Sequence, residues 1–112
     1  MRLSFAIPLV LAAALAAYAQ QAMPRMATVE PGNGKTGDVI TVNGENLQKE
    51  AVAKVYLTDG KHDTEVQVVE QTATAIKFKI PKVSPGRLAL MVLTAGKEPK
   101  LMEQPVKVQI DE

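Results

Sequence analysis

The chain has 112 residues, 46 % hydrophobic and 22 % charged, with 4 % aromatic and neither Cys nor Trp. That is one small domain of ordinary globular apolar content, too balanced in charge for a disordered tail. Without Cys, and with His62 the only imidazole, a disulfide framework, a thiolate or zinc site, a Cys-linked lipid, a cysteine nucleophile and a redundant Ser-His-Asp triad are all excluded.

Residues 1 to 22 differ from everything after them. Met1-Arg2 gives a short positive start, and the run from Leu3 to Ala17 carries no charge. That run is shorter than the roughly 20 residues a spanning helix needs. It ends in Ala17-Tyr18-Ala19, a small-x-small cleavage pattern, followed by polar Gln20-Gln21. These features predict a signal peptide over residues 1–19, extending at most to 22. The protein is then exported, periplasmic or extracellular, with no membrane insertion after cleavage. Cleavage leaves 93 residues with 12 Lys plus Arg against 12 Asp plus Glu. A neutral chain lacks the basic excess of a nucleic-acid binder, so no nucleic-acid partner is expected. Residues 20–25 read as a flexible lead-in and 26–112 as one domain, whose stability must come from its core alone.

The mature chain reads as short apolar alternations punctuated by turn residues. Met26 to Glu30 comes first and stops at Pro31-Gly32-Asn33-Gly34. Asp38 to Asn43 follows, with Ile40 and Val42 on one face. Val52 to Thr58 sets Ala53, Val55 and Leu57 against Lys54, Tyr56 and Thr58. Asp59-Gly60 is a hairpin signal, since Gly accepts the positive φ of a primed turn. Thr64 to Val69 alternates again. Thr74 to Ile80 points Ile76, Phe78 and Ile80 inward and Lys77 and Lys79 outward, then ends at Pro81. Leu88 to Thr94 follows the Ser84-Pro85-Gly86 turn, and Val106, Val108 and Ile110 alternate near the C-terminus. Gln48 to Lys54 has room for one helical turn at most. Seven period-2 segments without crossover helices predict an all-β, immunoglobulin-like antiparallel β-sandwich of about seven strands.

The turn chemistry is more specific. Val29-Glu30-Pro31-Gly32 leads to Gly37-Asp38-Val39-Ile40-Thr41-Val42-Asn43-Gly44-Glu45-Asn46-Leu47. Ile80-Pro81-Lys82-Val83-Ser84-Pro85-Gly86-Arg87-Leu88-Ala89-Leu90-Met91-Val92 follows later. This ordered set resembles the IPT/TIG domain, an immunoglobulin-like fold of plexins, Rel-type transcription factors and bacterial surface proteins, over about residues 25 to 110. Gly37 and Gly44 bracket the second strand where sharp turns are expected. Pro81 ends the fifth strand, and Pro85-Gly86 presets the return to the other sheet. Leu47 departs from the Phe frequent in the family, and Lys35-Thr36 leaves the first loop plain. The resemblance implies a scaffold or interaction module with no shared catalytic residues and no cofactor. Function must therefore come from a site on this particular fold.

Several candidate sites are weighed and set aside. Asp59-Gly60-Lys61-His62-Asp63 gathers two carboxylates and the imidazole, but calcium wants six to eight oxygens, so a solvated turn is the better reading. The acidic residues stand singly, without the enclosed pair that acid/base catalysis needs. Ser84, the one Ser of the mature chain, lies in no nucleophile-elbow motif. No catalytic or metal-binding residue is expected. Lys77, Lys79 and Lys107 read as protection against edge pairing rather than as a nucleic-acid footprint. Glycan binding is poorly served, because Phe78 is inward and Tyr56 alone faces out.

Leu88 to Leu93 is anomalous. Leu88, Leu90 and Val92 belong to the core face, yet Ala89, Met91 and Leu93 opposite them are apolar too. An antiparallel sandwich strand has a polar outer face unless something covers it. The favoured cover is the tail around Lys100-Leu101-Met102; the other reading is a protein-contact patch. If a partner docks, Met91 and Leu93 come first and Tyr56 second. The partner expected is another exported or cell-envelope protein, with a glycan or cell surface as the alternative.

Overall fold

The computed structural model describes residues 23–112. The expected signal peptide and the first residues of the lead-in lie outside them. Nine strands follow in order: β1 Arg25–Glu30, β2 Asn33–Gly34, β3 Val39–Glu45, β4 Val52–Thr58, β5 Asp63–Glu65, β6 Gln67–Gln71, β7 Ala75–Lys79, β8 Gly86–Thr94 and β9 Leu101–Ile110. They form a four-stranded sheet, β1-β3-β7-β6, and a five-stranded sheet, β2-β9-β8-β4-β5. Between Leu47 and β4, Gln48 O accepts from the Ala51 and Val52 N–H groups, each at 2.9 Å, in the single turn anticipated there.

The two strands beyond seven come from sheet switching. After β1 the chain crosses at Pro31-Gly32, and β2 pairs with the end of β9 in the only parallel register among the described strands. The expected Thr64–Val69 strand is cut at Val66, with β5 paired to β4 and β6 to β7. Val66 itself is 4 % exposed and donates its N–H to Val55 O at 3.0 Å. An alternating segment can thus start in one sheet and finish in the other, its corner residue filling the core.

The facing sides are apolar, as the alternation requires. Ile40, Val42, Ile76 and Phe78 from one sheet meet Val55, Leu57, Leu90, Val92, Val108 and Ile110 from the other, all buried. A register irregularity between Val52 and Lys54 turns Ala53 outward and gives its expected core place to Val52.

Two glutamine amides join the sheets at opposite edges. Gln104 of β9, 5 % exposed, accepts the buried Met26 N–H of β1 at 2.7 Å. Gln71 of β6 donates from Nε2 to Leu47 O at 2.8 Å and to Val52 O at 3.1 Å.

Gly44 is not at a turn. It lies within β3 opposite Met26, and a Cβ there would run into the Arg25 carbonyl oxygen. The need is close approach of two backbones, and the turn itself falls to Asn46 at φ 57°.

Gly44→Ala is expected to lower unfolding free energy by about 2–3 kcal/mol, because the β1 backbone must move. Gln104→Ala is expected to cost about 1–3 kcal/mol by leaving the Met26 N–H buried without an acceptor. Urea titration of each variant measures both losses.

Candidate functional site

The outer face of the five-stranded sheet carries the residues singled out from the sequence. Register places Tyr56 beside Met91 and Met91 beside Glu103, while Lys54 lies beside Leu93 and Leu93 beside Leu101. Tyr56, Met91 and Leu93 are half-buried among these neighbours. Lys54 and Glu65 stand 3.7 Å apart with both side chains about half exposed, a pairing that contributes little to stability in water. The result is an apolar centre with a charged rim.

The tail does not fold over this face. β9 begins at Leu101 and runs beside β8, pairing Leu101 with Leu93 and Met102 with Val92. A closing turn fixes this course: Thr94 N–H donates to Lys100 O at 2.9 Å, and Lys100 N–H to Thr94 Oγ1 at 2.8 Å. The cover expected from the sequence is instead an added strand. It widens the patch with Leu101, which is 55 % exposed.

Leu101 is the member that sequence reasoning missed. The outward series Leu101, Glu103, Lys107, Gln109 is present in the sequence, but Gln104 at an inward position and Pro105 break the alternation. Neither residue belongs to an ordinary strand pattern.

The three lysines do not form one strip. Lys77 and Lys79 lie on β7, which is paired on both sides by β3 and β6, whereas Lys107 lies in the other sheet. Edge protection therefore does not explain the first two. Lys77 instead reaches Glu70 Oε2 at 3.6 Å on the solvated face.

The hairpin between β4 and β5 spans Asp59–His62, with Gly60 at φ +94°. Asp59 Oδ1 accepts the backbone N–H groups of Lys61 and His62 at 2.8 and 2.7 Å, and Oδ2 lies 3.4 Å from His62 Nδ1. The carboxylate is thus engaged in shaping the turn. Among the described residues no group of three or more His, Asp or Glu could hold a metal ion. Ser84 lines the same cleft as Asp59 and His62. The His62 ring's side-chain partner is Asp59, however, and the nucleophile–base contact that serine chemistry needs is missing from this arrangement.

The sequence matches the IPT/TIG domain family over residues 24–110. The chain belongs to that family. No curated protein matches it. Among solved structures, it resembles a Bacteroides thetaiotaomicron protein of unknown function, with 20 % identity and a TM-score of 0.68, covering 82 % of this chain and 22 % of that one. It resembles a γ-CGTase from alkalophilic Bacillus clarkii at 21 % identity and TM-score 0.64, over 80 % of this chain and 12 % of that one. It also resembles an auxiliary nutrient binding protein from Bacteroides ovatus at 18 % identity and TM-score 0.59, over 81 % and 21 %. At these identities the likeness is one of fold, and this IPT/TIG domain spans no more than about a fifth of each larger protein. No helix among the described residues is long and apolar enough to cross a membrane.

The two backbone N–H groups of His62 and Lys61 hold the Asp59 carboxyl at about 2, below its ordinary 3.8. A depressed carboxyl stabilises the folded hairpin above its unfolded value, and that contribution is lost as pH falls through the folded value. The Asp59 carbon resonance is therefore expected to titrate near pH 2 in acid NMR. Asp59→Ala is expected to raise amide exchange at Lys61 and His62 while leaving the core strands protected.

Proposed function

We propose that this IPT/TIG domain is an exported, non-enzymatic binding or scaffold module that docks another exported or cell-envelope protein on the outer face of its five-stranded sheet. The observation that carries this reading is the apolar centre formed by Tyr56, Met91, Leu93 and Leu101, which no other strand among the described residues covers. Burying those side chains against a partner removes apolar surface from water, while Lys54, Glu65 and Glu103 supply a polar rim. Strand addition is the weaker route. The end strands of the five-stranded sheet, β2 and β5, are only two and three residues long and give an added strand little to pair with. Export to the periplasm or beyond rests on the charge-free run and the small-x-small ending of residues 1–19.

Glycan binding is the second reading. It is favoured by the single aromatic ring of Tyr56 on the exposed face, and a nutrient-binding protein is among the structural relatives. A lone ring without Trp gives a saccharide little stacking area.

The test compares wild type with Met91→Lys/Leu93→Lys, both confirmed folded by circular dichroism. Since both side chains are on the outer face, the double variant is expected to lose only about 1 kcal/mol of stability. Capture from the host's exported fraction is expected to yield a protein with wild type and to lose it with the variant. Equal recovery by both would reject the face as the contact. Recovery of polysaccharide alone would move the glycan reading first.

A further inference from the structure

A second concave surface lies at one end of the sandwich, apart from the outer-face patch and independent of the reading above. One wall is the Asp59–His62 hairpin, and the other is the segment from Lys82 to Arg87 that carries the chain from β7 into β8. Between them lies a cleft of about 430 Å³, within the size range of small-ligand sites. Its apolar lining includes Leu57, Val83, Pro85 and Leu88, of which Leu57 and Leu88 are core residues.

The charges in this cleft are unequal. Lys82 and Arg87 line one wall, and neither takes part in an ion pair among the described residues. The one carboxylate in the lining is Asp59, whose Oδ1 is occupied by two backbone N–H groups and whose Oδ2 faces the His62 ring. Two cations are therefore left without a protein counter-ion beside an apolar surface. A guanidinium offers paired N–H donors in the geometry of a carboxylate, and an ammonium adds a second charge.

Both walls are also held in place before any ligand arrives. Pro81 and Pro85 limit the backbone on either side of Lys82 to Ser84. Ile80 is tied to the loop that precedes β3 by Ile80 N–H donating to Asp38 O at 2.9 Å and Gly37 N–H donating to Ile80 O at 2.8 Å. Thr36 Oγ1 donates to Pro81 O at 3.3 Å. The opposite wall is set by the Asp59 turn. A preformed cleft loses less entropy on binding than a mobile one.

We propose that this cleft binds a carboxylate carrying an apolar group: Arg87 and Lys82 pair with the carboxylate, and Leu57, Val83 and Leu88 receive the apolar portion. Such chemistry is offered by the free C-terminus of a peptide ending in an aliphatic residue, and by a free aliphatic acid. The test uses the purified protein and three probes: an N-acetylated tripeptide ending in valine with a free carboxylate, the same tripeptide as its C-terminal amide, and hexanoate. Amide chemical shifts are followed by two-dimensional NMR.

Saturable shifts at Leu57, His62, Val83 and Arg87 are expected with the free-acid peptide at millimolar concentrations, and about tenfold weaker binding with its amide. Lys82→Gln/Arg87→Gln, at two exposed positions, is expected to abolish those shifts while leaving the spectrum of the core unchanged. Hexanoate matching the peptide would identify the free acid as sufficient; hexanoate silent beside a binding peptide would identify the chain terminus. Equal binding of acid and amide, shifts confined to another surface, or no saturable shift with either acid would overturn the proposal.

Discussion

Two sheets pressed face to face leave polar backbone at their open sides, and in this domain two glutamine amides seal them. Gln104 takes the Met26 N–H where β1 meets β9, and Gln71 reaches the Leu47 and Val52 carbonyls where β6 meets the start of β4. A buried backbone group left without a partner costs as much as several buried methyl groups contribute, so these bonds decide whether the edges can pack dry. With the sides sealed, the core of Phe78 and its aliphatic neighbours closes between two sheets of a chain that has no cysteine. The close β1–β3 approach at Gly44 belongs to the same closure, since it brings Met26 within reach of Gln104.

Sealing the core inward frees the outward faces to differ. The four-stranded sheet presents Lys77 paired with Glu70, together with two exposed valines, Val39 and Val69. The five-stranded sheet presents the apolar centre of Tyr56, Met91, Leu93 and Leu101. β8 is its middle strand, flanked by β9 and β4, so its outward side chains are shielded on two sides by neighbours and tolerate an apolar composition. The cleft at the end of the sandwich arises differently. It is built by loops, where proline and the Asp59 turn set the shape and the cations are left free.

Much of the fold was legible in the residues. Seven alternations located the longer strands, though only the second half of β9. Pro81 and Asp59-Gly60 marked boundaries that the structure keeps, and the motif set placed the chain in its family. The extra strands were not legible. Asn33–Gly34 is too short to alternate, and Thr64–Val69 alternates smoothly across the Val66 corner where it changes sheets. Gly44 illustrates a right residue read for the wrong reason: a turn was expected where the backbone of β1 comes close. Met91, Leu93 and Tyr56 were identified as outward residues from period two alone, whereas Leu101 was hidden by Gln104 and Pro105.

The sequence by itself determined the all-β class, most of the strand faces and the family, because period-two patterning and turn residues act over a few positions. Only the tertiary structure decided which strand covers which. Whether the tail around Leu101 lies over β8 or beside it depends on hydrogen bonds between Thr94 and Lys100, and on a glutamine whose partner is 78 residues away in the chain. Contacts at that separation leave no local pattern. The same holds for the meeting of His62, Lys82 and Arg87 around one cleft, which the folding of two distant loops brings about.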